Sequence, residues 1–278
     1  MEREETGLTI GDVAARTGLT VPTLRAWEQR YGFPVPSRST SGHRRYQERD
    51  VAALEQLLRD REAGLSLSAA MSRARTAVVA TAPTVFAGLR ARHPELVLHV
   101  LTKGAMHVVS RAIEDECLAA GSATLAIGSF QHERFFRASE RRWRDIARTA
   151  DTTIAMADFP TERHRTGRPI EVSVPSTSAA MREWSVVCDG PSAAAVVAGW
   201  EQPTTGRVAD RRRRFEAIWS TDASVVREAS GIALAIAASH STRPLPTTVD
   251  QLPPVHDDPS ATVRRTTAIA NRIVAALA

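Results

Sequence analysis

Apolar residues recur every three or four positions over the first eighty residues, the spacing of amphipathic helices. Ile10, Val13 and Ala14 form one such stripe. Thr9 stands before it as an N-cap, with Asp12 three residues on as in a capping box, and Gly18 after it as a left-handed stop. A second helix follows at once, with Thr20 as its N-cap and Pro22 in the first turn, where the missing N–H is no loss. Leu24 and Trp27 share a face of that helix. Gly32, Pro34, Pro36 and Gly42 then break the periodicity, and the stretch from Tyr31 to Tyr46 reads as turns that can fold into a small β-wing. Helical spacing returns with Val51, Leu54, Leu57 and Leu58 and stops at Gly64, and a further helix is expected from about residue 66. Two short helices joined by a glycine-containing turn are the pattern of a helix-turn-helix.

Beyond residues 81–86 the texture changes. "ELVLHVLT" (95–102), "SATLAIGSF" (122–130), "TTIAMADF" and "EWSVVCDG" read as strands. "MHVVSRAIEDECLAAG", "HERFFRASERRWRDIARTA", a short "PSAAAVVAGWEQ" and a longer "STDASVVREASGIALAIAAS" read as helices between and after them. A proline-rich tract, 242–260, reads as an exposed linker before a last helical segment with Val263, Ile269, Ile273, Val274 and Leu277 as its apolar stripe. The predicted class is α+β: a mostly helical winged helix-turn-helix, then a mixed α/β domain and a C-terminal helix. The expected division is 1–80, 83–240 and 241–278.

Charge and chemistry narrow the function. The 278 residues carry a net charge of +5, and Lys103 is the sole lysine, so arginine supplies nearly all the positive charge. That balance favours anionic partners, nucleic acid first. Cys117 and Cys188 have no metal-ligand spacing and read as reduced, buried thiols, so no metal is expected. No apolar run approaches the roughly 20 residues a membrane span needs, and the polar, acidic start has no secretory pattern. The expected compartment is the cytoplasm, in association with the nucleoid, with no membrane partner. Nucleophile elbow, phosphate loop, HExxH and dinucleotide fingerprint are all missing, so no enzyme is expected.

A helix-turn-helix offers its second helix to the major groove, and a flanking wing can grip phosphates. Thr20, Val21, Thr23 and Arg25 would face the duplex. Arg38, Arg44 and Arg45 surround the wing, and His43 and Tyr46 add donors to phosphate oxygens. Trp27 packs the second helix against the wing, with its indole N–H within reach of a phosphate, and Glu28 is read as pairing with a nearby arginine. The stretch from Thr9 to Leu54 resembles the winged helix-turn-helix of the MerR family of bacterial transcription regulators. Its carrying residues are Thr23-Leu24-Arg25, Trp27-Glu28, Arg38, Gly42 and Arg45-Tyr46. The form resembles the branch that includes cobalamin-dependent light-responsive regulators. The resemblance covers about a quarter of the chain. It implies a homodimer on a near-palindromic promoter operator, bending and untwisting a long spacer so that RNA polymerase reaches both promoter elements. Members near this branch repress by occupying the promoter instead.

The rest of the chain would then be a sensor. Glu162, His164 and Gly167 match a Glu-x-His-x-x-Gly pattern in which histidine ligates cobalt. The chain has no Gly-Gly pair and no upstream helical cap for a corrin, so the segment reads as an arginine-rich surface loop and no cofactor is expected. Residues 83–240 resemble the DICT sensory domain, through Ser110, Ile113-Glu114, Ser129-Phe130-Gln131, Phe135, Phe136 and the Trp143–Ile146 segment. This resemblance implies a receiver of a small-molecule or light signal. Glu114, Gln131 and His132, with Glu133, are the polar groups expected near a pocket, because α/β sheets bind ligands beyond strand ends. The functional expectation is a dimeric DNA-binding regulator. The alternatives are a cobalamin-dependent light-responsive repressor and a scaffold that does not bind DNA.

Overall fold

The computed structural model describes residues 7–31, 33–34, 36–38, 43–71, 74, 84–203, 209–255 and 258–277. The chain divides into two compact units, 1–82 with 91–94 and 83–90 with 95–278.

In the first unit, α1 (Ile10–Thr17) begins where Thr9 and Asp12 satisfy each other's backbone N–H, at 3.2 Å and 2.8 Å. It ends at Gly18, whose φ of 72° is the left-handed region that a side chain would strain. Helix α2 (Val21–Tyr31) starts at Thr20, whose Oγ1 accepts from Thr23 N–H at 3.2 Å. Strands β1 (Ser37–Arg38) and β2 (Arg44–Arg45) pair antiparallel as the two-stranded wing, and α3 (Glu48–Glu62) follows. Residues 67–71 are helical again. Val13, Leu24, Phe33, Tyr46, Leu54 and Leu57 form one buried core that joins the helices to the wing.

The second unit opens with residues 85–90 of helix α4 (Val85–Arg92). Its first turn is held by the buried Glu183 carboxylate, which accepts the Phe86 N–H at 2.7 Å. Seven strands then form one sheet: β3 (His99–Thr102), β4 (Leu125–Ser129), β5 (Thr152–Ala157), β6 (Ile170–Ser173), β7 (Glu183–Asp189), β8 (Ala195–Glu201) and β9 (Arg214–Ser220). Their spatial order is β3-β9-β8-β7-β4-β5-β6. Pairing is antiparallel from β3 to β4 and parallel from β4 to β6. Helices α5 (Lys103–Ala120) and α6 (Glu133–Ile146) cover one face, where Val186 and Cys188 of β7 point. Alternation sends Asp189 to the other face. There it takes two bonds from Arg227 of α7 (Ala223–His240), at 2.8 Å and 3.0 Å, and one from Ser230 at 2.7 Å.

The α5–α6 face of the sheet is lined with small side chains, among them Ala126, Ala155, Ala195 and Ala217, which leave room for Trp143, Phe136 and Met106. Gly128 belongs to this fit: a Cβ there would stand 2.6 Å from the Trp143 ring.

Several expected elements are corrected. Residues 191–202 hold strand β8, not a short helix; a fully buried apolar run has no periodicity to separate the two, and central β-branched valines settle it here. Strands β6 and β9 and helix α4 were not anticipated, and the strand expected over 95–102 is confined to 99–102. The 242–260 tract is pinned to its unit and not a free linker: Pro253 C=O accepts from Arg227, Thr247 meets Thr152, and Leu252 is buried. The last helix, α8 (Pro259–Leu277), docks on α5 of its own unit, with Ile269 in the core and Arg272 at 3.2 Å from Glu116. Among the described residues no helix is long and apolar enough to cross a membrane.

Candidate nucleic-acid interface and sensory pocket

Helix α2 turns Leu24 wholly inward, and the same turn of helix leaves Arg25 exposed. Thr20 is exposed, and Val21 and Thr23 are half-buried. The wing is fixed to this helix by Glu28. Its Oε2 accepts from Arg44 Nε at 3.1 Å and its Oε1 accepts from the Tyr46 hydroxyl. The far end of the wing is tied to the chain start by a two-bond bridge, Leu8 N–H to Tyr46 C=O at 2.8 Å and the reverse at 2.9 Å. Burial, then the adjoining Glu28 carboxylate, push the Tyr46 phenol well above its usual range, so it remains a donor. His43 and Arg44 remain exposed on the wing, Arg45 is half-buried, and Trp27 is half-buried against the core.

The second unit holds a cavity of about 210 Å³ between α5, α6 and the sheet. Its residues on α5 lie at 103, 107, 110, 111 and 114, one face of that helix. Phe130, Phe135 and Trp184 supply aromatic walls. Phe130 is set edge-on by Phe136 and Trp143, and Trp184 by Phe215. Glu114 sits behind the cavity and takes a bond from Trp143 Nε1 at 3.1 Å. Arg142 Nε stands 3.2 Å from its other oxygen, an ion pair without hydrogen-bond alignment. Burial raises the Glu114 carboxyl to about 7, an effect that the Trp143 bond and the Arg142 and Arg111 cations only partly offset. Burial, then Arg111 and Lys103, hold the His107 imidazole below its usual range.

Residues 8–74 match the family model described as MerR HTH family regulatory protein, and residues 84–202 match the sensory domain in diguanylate cyclases and two-component systems, DICT. The chain joins a MerR-type helix-turn-helix to a DICT sensory domain. Over 61 residues it is 44% identical to the HTH-type transcriptional repressor CarH of Myxococcus xanthus, covering 22% of this chain and 20% of that protein. The repressor CarA of the same organism is 44% identical over 71 residues, 25% of each chain. The HTH-type transcriptional activator TipA of Streptomyces coelicolor is 45% identical over 60 residues, 21% of this chain and 23% of that protein. The chain thus spans about a fifth to a quarter of the length of these relatives.

Within the MerR module the structure brings Arg25, Arg44, Arg45, His43 and Trp27 into one unit with the wing. Tyr46 is corrected: expected to donate to phosphate, it is fully buried and its hydroxyl is spent on Glu28. The Arg38 backbone pairs with that of Arg44, while its side chain, like Gly42, lies outside the described residues.

Within the DICT domain Glu114 lies at the cavity, and two other expected residues are corrected. Gln131, at φ 58° after β4, turns inward to Glu201 and Arg213, at 2.9 Å and 2.7 Å. The His132 ring meets Asp158 at 2.8 Å, and the same carboxylate caps α6 through the Glu133 N–H. Neither lines the cavity. The residues that sequence reasoning missed, Lys103, His107 and Arg111, were signalled by their spacing with Ser110 and Glu114 along one helix face.

His164 Nε2 is bonded to Glu162, which Ser241 and Thr242 also hold. Arg163, Arg165 and Arg243 surround the pair, and no apolar side chain lines the space. A corrin would have no apolar seat among these side chains, so the lining does not fit that group. Among the described residues no cluster of three metal-ligating side chains occurs.

Proposed function

We propose that this chain is a DNA-binding transcription regulator that acts as a homodimer. It sets α2 in the major groove of a near-palindromic promoter operator, grips the flanking phosphates with its wing, and distorts the DNA in response to a signal received by the DICT domain. RNA polymerase at that promoter is the partner that reads the distortion. The observation that carries this reading is the Glu28 clamp, which orients a cationic wing beside α2 in a segment matched to MerR HTH regulators. Distorting an operator costs about 1–10 kcal/mol, which backbone contacts to several phosphates can offset. The sign of regulation stays open, because CarH and CarA are named repressors and TipA an activator.

The test is footprinting of the full chain on its own upstream DNA at two salt concentrations. Protection of a near-palindrome with a distorted centre, weakening steeply as salt rises, is the expected result. Binding to that DNA no tighter than to random sequence would favour the scaffold reading instead.

A further inference from the structure

The DICT cavity has the features of a built site for a small anion carrying an aromatic ring. Its size comes first. About 150 Å³ suffices to hold a benzene ring, so 210 Å³ leaves about 60 Å³, the share of about two water molecules, for one small substituent. The walls are held in place before any ligand arrives, since Phe130 and Trp184 are each locked edge-on by deeper rings. Pre-ordered aromatic walls reduce the ordering cost of binding.

The polar groups are the second feature, and they are mostly donors. Ser110 lines the cavity and is 3% exposed, while its hydroxyl is itself shielded from that space and has no hydrogen-bond partner among the described residues. Arg111 lines the same space with a half-exposed side chain. Lys103 reaches in from the helix start, its ammonium 4.3 Å from the Phe135 ring centre and paired with Asp210, which lies outside the lining. Glu114 is the one acidic residue of the lining, and it is already engaged by Trp143 and Arg142. Three aromatic rings would suit an ammonium ligand, but two cations in the lining oppose it. A neutral ring would leave the Arg111 guanidinium only its 4.0 Å approach to Glu114, and the Lys103 ammonium only Asp210.

We propose that this cavity binds a monocyclic aromatic carboxylate, its ring among Phe130, Phe135 and Trp184 and its carboxylate on Arg111 and Lys103. The identity of the signal rests on reading this unit as the receiver; the binding itself does not.

The test uses the full chain and three probes of equal ring size: benzoate, benzamide and benzylammonium. Binding is read by calorimetry and by tryptophan fluorescence. Benzoate is expected to saturate with a dissociation constant of about a millimolar or below, and benzamide and benzylammonium to bind at least about tenfold more weakly. Arg111→Gln, a half-exposed position that the fold tolerates, should bring benzoate down to the benzamide level. Ala138→Phe, at an exposed position of the cavity lining, should abolish binding with the circular dichroism unchanged. No saturation by benzoate, equal binding of benzamide or benzylammonium, or indifference to Ala138→Phe overturns the proposal. Benzoate that binds as expected but leaves affinity for the protein's own upstream DNA unchanged upholds the site and removes its role as receiver.

Discussion

Replacing Glu114 with Gln should remove a specific pH dependence from the stability of the empty protein. The carboxyl titrates at an ordinary value of 4.5 when unfolded and at about 7 when folded. Between those values the folded chain holds a proton that the unfolded chain has released, so stability falls as pH rises through that window. The loss is complete above about pH 7 and amounts to about 3 kcal/mol, at 1.36 kcal/mol for each pH unit of difference. Groups facing Glu114 from α5 and α6 are Arg111, Asp115, Arg142 and Trp143, and all are retained in the variant. Glutamine keeps an oxygen for Trp143 and has nothing to ionise. Glu162 works in the opposite direction. Burial raises it, but bonds from Ser241, Thr242 and His164 outweigh burial and hold it at about 2, so its contribution is lost only as pH falls below 4.5. That contribution is common to both proteins and cancels in their difference. Urea unfolding of both chains from pH 4.5 to 8 is the assay. The variant should gain about 3 kcal/mol on the wild type across that range, roughly 6–12 °C in melting temperature. Parallel profiles, or a difference of opposite sign, would refute the placement of an uncharged Glu114 behind the cavity.

Arg44→Ala with Arg45→Ala should weaken binding to operator and random DNA together and reduce the slope of log affinity against log salt by about 2, as measured by anisotropy; a change in sequence preference alone would contradict a phosphate role. Tyr46→Phe removes the donor to Glu28 and should cost about 1 kcal/mol of stability, read by urea unfolding, and loosen the wing enough to lower DNA affinity. Arg227→Met strands the buried Asp189 carboxylate and should destabilise the DICT domain by about 3–5 kcal/mol; a second change, Asp189→Leu, should recover much of the loss. Gly128→Ala forces a Cβ against the Trp143 ring and should cost about 1–3 kcal/mol, visible as a lower melting temperature with a shifted tryptophan emission.

What could be read in the sequence was what is decided locally. Thr9, Asp12 and Gly18 bound α1 as the letters suggest, because caps act within one turn of their own helix. Glu28 was legible as an arginine partner, since an acid amid cations has few other options. Tyr46 was misread because a tyrosine has both an apolar body and a polar tip, and only the fold decides which is used. The β8 valines failed for a related reason: burial on both faces erases alternation. The cavity was partly hidden because its α5 face mixes Lys103 and Arg111 with Ser110 and Glu114, which reads as a solvated stripe. What makes it a site is supplied from far along the chain, by Phe130, Phe135 and Trp184.

The two units solve one positioning problem with the same parts. A glutamate takes an aromatic donor on one oxygen and stands beside an arginine with the other: Tyr46 and Arg44 on Glu28, Trp143 and Arg142 on Glu114. In the MerR module the arginine offsets a negative charge that would otherwise repel the phosphates of the proposed operator, so the clamp orients the wing at little electrostatic cost. In the DICT domain burial dominates and favours the protonated carboxyl. A fully ionised carboxylate there would exclude an anionic ligand. A carboxyl with a folded value near 7 can take up a proton as the anion enters, so the ligand's charge does not meet an equal one across the cavity. The buried position of Glu114 is therefore compatible with the donors that line the cavity.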